Sequence, residues 1–420
     1  MSKKIEAASL GMWSAMILGM GLPMASAFST AGFAPASSFL KPPTVTTRPA
    51  GSVLAAPQTR SLAPLKLAPL DREDRMEKLS SFAPMPLAVR ETRLQMSDSA
   101  SAGGVKKAGP LLLGFYFAAW YVLNVAYNIY CKKVLNVCPL PWTFAVLQLG
   151  MGILYLAPQW LSGIRGVPKP SPENLQALTK VAAFHGLGQL ATVTAMGLGS
   201  VSFVNVVKAL EPVFTALIAL AVFRKNMPWQ VWLSMMPVCG GVALASAGEL
   251  SFSWGCFICA MISNLVYATR GVLSKAAMES ADPGVNMSAE NTFAVVVLIS
   301  FVFCIPFALA FEATKWSAGL AAVAAAGMSM TTLAYMTIIT GLLYYTYNEM
   351  AFLVLGSVAP VTQSVGNTVK RVVVIVAAAL AFKTPMTPIG IVGSSIAIGG
   401  VLLYSVVKGK FPDPPAKKEE

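Results

Sequence analysis

The sequence predicts an all-α membrane protein, with ten transmembrane helices arranged as a 5+5 inverted repeat. Three observations carry that prediction. The 420 residues are 55% hydrophobic and only 12% charged, with a mean hydropathy of +0.64; soluble domains carry roughly a quarter charged residues. After Pro110, apolar runs of about 20 residues, the length that crosses a bilayer core, recur along the chain. Short motifs of the first half also return in the second at one spacing.

Composition narrows the function before any motif does. The net charge of +13 is the loop bias of a membrane protein, and no basic-aromatic stretch suggests contact with nucleic acid. A single histidine argues against most metalloenzymes and histidine-dependent nucleophilic mechanisms. The pair "CFIC" (256–259) has metal or redox spacing, but no second pair joins it, so it reads as small apolar side chains on a helix. Neither a cofactor nor an enzymatic activity is expected.

The first 27 residues have a basic start, an apolar stretch and the small-residue site Ala25-Ser26-Ala27, the pattern of a secretory signal peptide. Residues 28–100 turn to Ser, Ala, Pro and Arg, too polar to fold alone, and read as a transit peptide. Such a bipartite leader with "ASAF" (25–28) resembles those of algae with complex, secondary plastids. The membrane domain is expected over 108–410, followed by a polar tail at 411–420.

Spans are expected near 110–131, 141–161, 178–198, 201–223, 229–248, 252–273, 290–311, 326–348, 358–382 and 388–407. Turn-forming stretches such as "CPLPW" (138–142), "RKNMP" (224–228) and "KTPMTP" (383–388) separate them. An even count puts both mature ends on one face. That face collects Lys106, Lys107, Arg165, Lys169, Lys180, Arg224, Lys225, Lys275, Lys408 and Lys410, against Lys132, Lys133, Lys315 and Lys383 on the other, an asymmetry that a miscounted span would scramble. "FRKNM" (223–227) returns as "FKTPM" (382–386), and "GGVAL" (240–244) as "GGVLL" (399–403), both 159 residues on. Spans 4–5 thus align with 9–10, and halves of five crossings are necessarily inverted. Inverted halves that meet at a midplane site are a transporter architecture.

Four charges stand where apolar residues belong. Lys208 and Glu211 lie inside span 4, and Lys370 and Arg371 inside span 9, each costing about 2.5–3.5 kcal/mol at mid-bilayer on insertion scales. Helical spacing extends them into polar stripes: Asn205, Lys208 and Glu211; Gln363, Gly366, Asn367 and Lys370. Similar stripes run through span 3 (His185, Gln189, Thr192), span 6 (Ser263, Tyr267, Arg270) and span 8 (Thr340, Tyr344, Tyr347). Lys208, Arg270, Lys370 and Arg371 against Glu211 make a net-cationic enclosed site. Phosphate fits such a site: Arg forks onto its oxygens, Lys supplies a mobile charge, and hydroxyls complete the shell. Several of these residues also have plainer readings. Arg270, with Lys275, could snorkel to the interface. Glu211 reads as a counter-ion to Lys208, His185 as a hydrogen-bonded packing residue, and Tyr344 as packing.

At "FYFAAWYVLNVAYNIYCKKVLN" (115–136), "SVSFVNVVKALEPVF" (200–214), "SNLVYATRGVLSKAAM" (263–278), "YYTYNEMAF" (344–352) and "VAPVTQSVGNTVKRVVVIV" (358–376), the chain resembles the plastid phosphate translocators of the drug/metabolite transporter superfamily. The resemblance implies ten spans and counter-exchange of inorganic phosphate for phosphorylated three-, five- or six-carbon compounds across a plastid envelope membrane, the innermost by its leader. It implies Thr192, Lys208, Tyr347, Lys370 and Arg371 as phosphate ligands, with Arg270 near the far end of the substrate; the polar stripes add Gln189 and, as secondary candidates, Tyr267, Asn367 and His185, which lies one turn before the family's histidine position. Triose-phosphate members usually have His at the position of Gln189, and phosphoenolpyruvate members an amide, so the organic substrate stays open between triose phosphate or 3-phosphoglycerate and phosphoenolpyruvate. Partners are then small phosphorylated metabolites and the bilayer, with the carrier a monomer or homodimer. Rival readings are a nucleotide-sugar carrier of the same superfamily, a membrane enzyme or a receptor.

Overall fold

The computed structural model describes residues 110–223, 227–278, 282–358, 360–384 and 386–411. The expected leader (1–27 and 28–100) and the tail after Phe411 lie outside them. The helices are α1 Pro110–Val137, α2 Pro141–Leu161, α3 Pro172–Leu198, α4 Val201–Val207, α5 Glu211–Phe223, α6 Trp229–Ala247, α7 Trp254–Met278, α8 Ala289–Glu312, α9 Trp316–Ala325, α10 Met330–Ser357, α11 Pro360–Phe382 and α12 Pro388–Lys410. A 3₁₀ turn, Lys208–Leu210, joins α4 to α5 into one span. The sequence expectation placed most of these within a few residues, but clipped α1, α3 and α10 by up to nine; polar residues continue the helix at the missed ends of α1 and α3, whereas the missed end of α10 is mostly apolar. It also missed the short α9.

Local chemistry explains the boundaries. Ser171, Ser200, Ser288, Ser329 and Thr387 each accept a backbone N–H from their own first turn, satisfying a donor that a helix start otherwise leaves unpaired. Proline follows at the first helical position of α3 and α12, where its missing N–H costs nothing. Between α2 and α3, β1 (Lys169–Pro170) pairs antiparallel with β2 (Gly284–Val285) from the α7–α8 connection.

Among the described residues, nine helical stretches are long and apolar enough to cross a membrane. α10 is long enough too, but Thr331, Thr332, Thr337, Thr340, Asn348 and Glu349 lower its apolarity.

The repeat extends further than its motifs. Leu198 and Ser357, Val201 and Pro360, Phe223 and Phe382, and Trp229 and Pro388 are helix ends that all stand 159 residues apart. Spans 3–5 therefore recur as spans 8–10 without a net insertion. Packing obeys the same exchange: α3 lies on α7 as α1 lies on α10, α3 on α8 as α2 on α10, and α6 on its own counterpart α12. At this last contact a Cβ on Gly241 would overlap the backbone of Ala397, and one on Gly400 would come within 2.7 Å of the nitrogen of Val238. Gly241 and Gly400 are repeat equivalents, as are Val238 and Ala397. Close backbone approach through small residues is how helices associate where no water drives them together.

Candidate functional site

The span formed by α4 and α5 is broken at its middle for a covalent reason. Pro212 has no N–H for the carbonyl of Lys208, and Glu211 instead donates to that carbonyl in a 3₁₀ turn. The carbonyl of Val207, which an unbroken helix would have paired with Glu211, accepts from Asn264 Nδ2 of α7 at 2.8 Å. The break is thus hydrogen-bonded rather than strained. It sets Lys208 and Glu211 on a cavity of about 500 Å³ among α1, α3, α4, α5, α7, α10, α11 and α12.

All ten candidate residues line that cavity. Lys208 Nζ donates to Thr192 Oγ1 at 3.0 Å and Ser263 Oγ at 3.1 Å, and sits 4.6 Å from the centre of the Tyr267 ring. Thr192 is itself fixed, because its hydroxyl donates to Gly188 O. Arg371 Nη2 pairs with Glu211 Oε2 at 2.8 Å across the two halves. Lys370 Nζ lies 4.8 Å over the Trp120 ring and has no hydrogen-bond or carboxylate partner among the described residues. Tyr347 packs its ring against Tyr127 and Tyr344. Asn367 also lines the cavity.

Two expectations change. Glu211 does not pair with Lys208 one turn before it: the ammonium's donors go to two hydroxyls, and the arginine of α11 takes the carboxylate. Arg270 does not snorkel to the interface, because its Nη1 contacts His185 Nδ1 at 3.0 Å and its guanidinium lies 5.2 Å from the Tyr267 ring centre. His185 is the midpoint of α3 and is 1% exposed. The side chain of Gln363, expected on the stripe of span 9, lies outside the described residues.

Gln189 borders the cavity with its amide already engaged. Its Nε2 donates to Tyr127 Oη (3.0 Å) and Gln148 Oε1 (2.9 Å), and its Oε1 accepts from Tyr267 Oη (3.3 Å). A buried network satisfied this fully rigidifies the helices that share it. The sequence reading overlooked Trp120, Asn124 and Tyr127, which line the cavity from α1. Their i, i+4, i+7 spacing is the stripe signal used on five other spans. Gln148 and Asn264 carried no such signal, since their partners come from other helices.

Lys208, Arg270, Lys370 and Arg371 therefore line one cavity with Glu211, a formal surplus of three positive charges. Such a wall can desolvate and hold a small polyanion, with hydroxyls and ring faces in reach of its oxygens.

At the face that holds the β1–β2 pair, Arg165 Nη1 contacts Glu349 Oε1 at 2.5 Å, and its Nε donates to Asn291 Oδ1 at 2.6 Å. Burial by itself would lower the pKa of Arg165, and the Glu349 carboxylate outweighs it, raising that pKa above its ordinary value. At the opposite face Glu312 accepts the backbone N–H groups of Trp142 (2.9 Å) and Thr143 (2.7 Å) at the start of α2, a negative charge on a helix N-terminus. α2 and α8 are thus tied at both ends.

Residues 111–405 match the Triose-phosphate Transporter family. Three curated proteins illustrate the similarity. The chain is 39% identical over 305 residues to phosphoenolpyruvate/phosphate translocator 1, chloroplastic, of Arabidopsis thaliana, covering 72% of this chain and 74% of that protein. It is 37% identical over 324 residues to the triose phosphate/phosphate translocator, chloroplastic, of Zea mays (76% and 77%). It is 36% identical over 339 residues to glucose-6-phosphate/phosphate translocator 2, chloroplastic, of Arabidopsis thaliana (80% and 83%).

Proposed function

The chain belongs to the triose-phosphate transporter family, and on that premise we propose that it is an antiporter exchanging inorganic phosphate for phosphorylated three-carbon compounds, triose phosphate and 3-phosphoglycerate, across a plastid membrane. The observation that carries the reading is the gathering of Lys208, Lys370 and Arg371 on one cavity wall. In this reading they bind phosphate with Thr192 and Tyr347, and Arg270 receives the other end of the substrate. Similarity to relatives named for triose phosphate, phosphoenolpyruvate and glucose 6-phosphate is nearly even, 36–39%, so identity alone does not select the organic partner.

α10 acts as the tenth span, and the halves alternate access by rocking about the site they share. Exchange rather than uniport follows from charge. Closing an empty site would trap unpaired cations in a low-dielectric space, at large desolvation cost, and a bound dianion offsets most of it. The leader read from the sequence assigns the carrier to the innermost membrane of a complex plastid, as a monomer or homodimer.

A counter-substrate panel tests the reading. Purified protein in phosphate-loaded vesicles should take up triose phosphate and 3-phosphoglycerate faster than hexose phosphate or phosphoenolpyruvate. Uptake of none of them, or of nucleotide sugars instead, contradicts it.

A further inference from the structure

Arg270, like Lys370, is held by no carboxylate or hydroxyl among the described residues, but unlike Lys370 it is held by another side chain. Among the described residues its only hydrogen-bond partner is the ring nitrogen of His185, and its Nε is buried without a partner. A guanidinium has donors only, so His185 Nδ1 must accept. That leaves the ring neutral with its proton on Nε2, which donates to Tyr344 Oη at 2.9 Å. The imidazole is gripped at both nitrogens, and Phe293 packs edge-on against it at 5.8 Å. One ring orientation and one tautomer are therefore fixed, and they in turn fix the guanidinium over the Tyr267 face. Gln189, on the same face of α3, has both amide donors taken by Tyr127 and Gln148 and its oxygen engaged by Tyr267, so it offers no free donor to an anion.

We propose that His185 is a positioning residue: it holds Arg270 in place as a second anion-receiving pole, so the carrier sorts counter-substrates by the charge on their non-phosphate end. A carboxylate there meets a guanidinium whose remaining N–H groups lack partners among the described residues, a charge-assisted contact. A neutral carbinol or carbonyl gains much less. The proposal deepens the phosphate-exchange reading and rests on it for the choice of ligands.

Binding to the purified protein in detergent tests it without requiring transport. Dissociation constants for inorganic phosphate, dihydroxyacetone phosphate and 3-phosphoglycerate are compared in the wild type and in His185→Phe and His185→Asn. His185→Phe keeps a planar ring without an acceptor; His185→Asn keeps an acceptor. The expected result is that His185→Phe weakens 3-phosphoglycerate about tenfold relative to inorganic phosphate, roughly the loss of one hydrogen bond to a charged group. Dihydroxyacetone phosphate should move with phosphate, and His185→Asn should restore the ratio to within about threefold. An unchanged ratio, or an equal loss for all three ligands, overturns the proposal. If His185→Phe does not fold, Tyr344→Phe decides: a ratio raised about threefold supports the pin, and an unchanged one overturns it. A wild type that binds these ligands but does not exchange them contradicts the antiport reading alone; one that binds none contradicts both.

Discussion

His185 and Tyr344 stand 159 residues apart in the chain, and their side chains meet at 2.9 Å, Nε2 to Oη. The spacing is the one that relates the helix ends of the two halves, so these are equivalent positions touching across the pseudo-twofold relation. His185 is the midpoint of α3, and Tyr344 lies at the middle of α10. His185 borders the cavity, whose chemistry is nonetheless asymmetric. The equivalent of Lys208 is Asn367, and that of Glu211 is Lys370. A symmetric scaffold thus carries a polar site whose cations come unequally from its halves.

Lys370 and Arg371 should separate transport from stability. Lys370→Ala removes an ammonium that lies over the Trp120 face without a hydrogen-bond partner among the described residues, so uptake of labelled phosphate should fall at least about tenfold, the scale of a lost charge-assisted contact, with little change in melting temperature. Arg371→Ala should lose uptake and also melt lower, because it strands Glu211. That carboxylate is 37% exposed to the cavity, so the pair is worth about 1 kcal/mol and the shift should be roughly 2–4 °C.

If Arg371 binds phosphate as proposed, Glu211 competes with the substrate for it. Glu211→Gln frees the guanidinium and removes the sole carboxylate lining the cavity among the described residues. Phosphate binding to the purified protein should tighten about threefold or more, in keeping with an exposed ion pair. Weaker binding would mean that Glu211 instead aims Arg371 at the ligand.

How much of this was legible in the sequence depends on what marked each residue. Lys208, Lys370 and Arg371 announced themselves because a charge in an apolar span is costly wherever it lies. The turn at Lys208–Leu210 was written in Pro212, since a missing N–H forces the change whatever surrounds it. The recurrence of spans 4–5 showed through two short motifs. That of span 3 as span 8 did not, because helix length and end positions repeat there while side chains differ. Glu211–Arg371, His185–Arg270 and the Gln189 network were invisible for a different reason. Each is a choice among several partners in reach, made by packing between helices distant in sequence.

Adjacent glycines of α6 make a matched test of the α6–α12 contact. A Cβ at Gly241 would overlap the backbone of Ala397, whereas nothing lies within 4 Å of one at Gly240. Gly241→Ala should cost about 1–3 kcal/mol, the usual toll of overpacking, seen as a lower melting temperature in detergent. Gly240→Ala should be neutral or slightly stabilising, since alanine favours helix.

Arg165 and Glu349 form a nearly buried pair, with side-chain exposures of 13% and 5%. Arg165→Ala strands a buried carboxylate, a loss of about 3–5 kcal/mol in soluble proteins, and should lower the melting temperature by roughly 5 °C or more. Adding Glu349→Gln should recover part of that loss. Two fully additive losses would mean that the residues do not interact.

The central claim is that a cationic cavity crosses the membrane only when loaded, and uptake of labelled phosphate into vesicles measures it directly. Protein reconstituted into vesicles preloaded with phosphate should take up the label quickly, and protein in empty vesicles should take up almost none. Equal uptake into empty and loaded vesicles would contradict it.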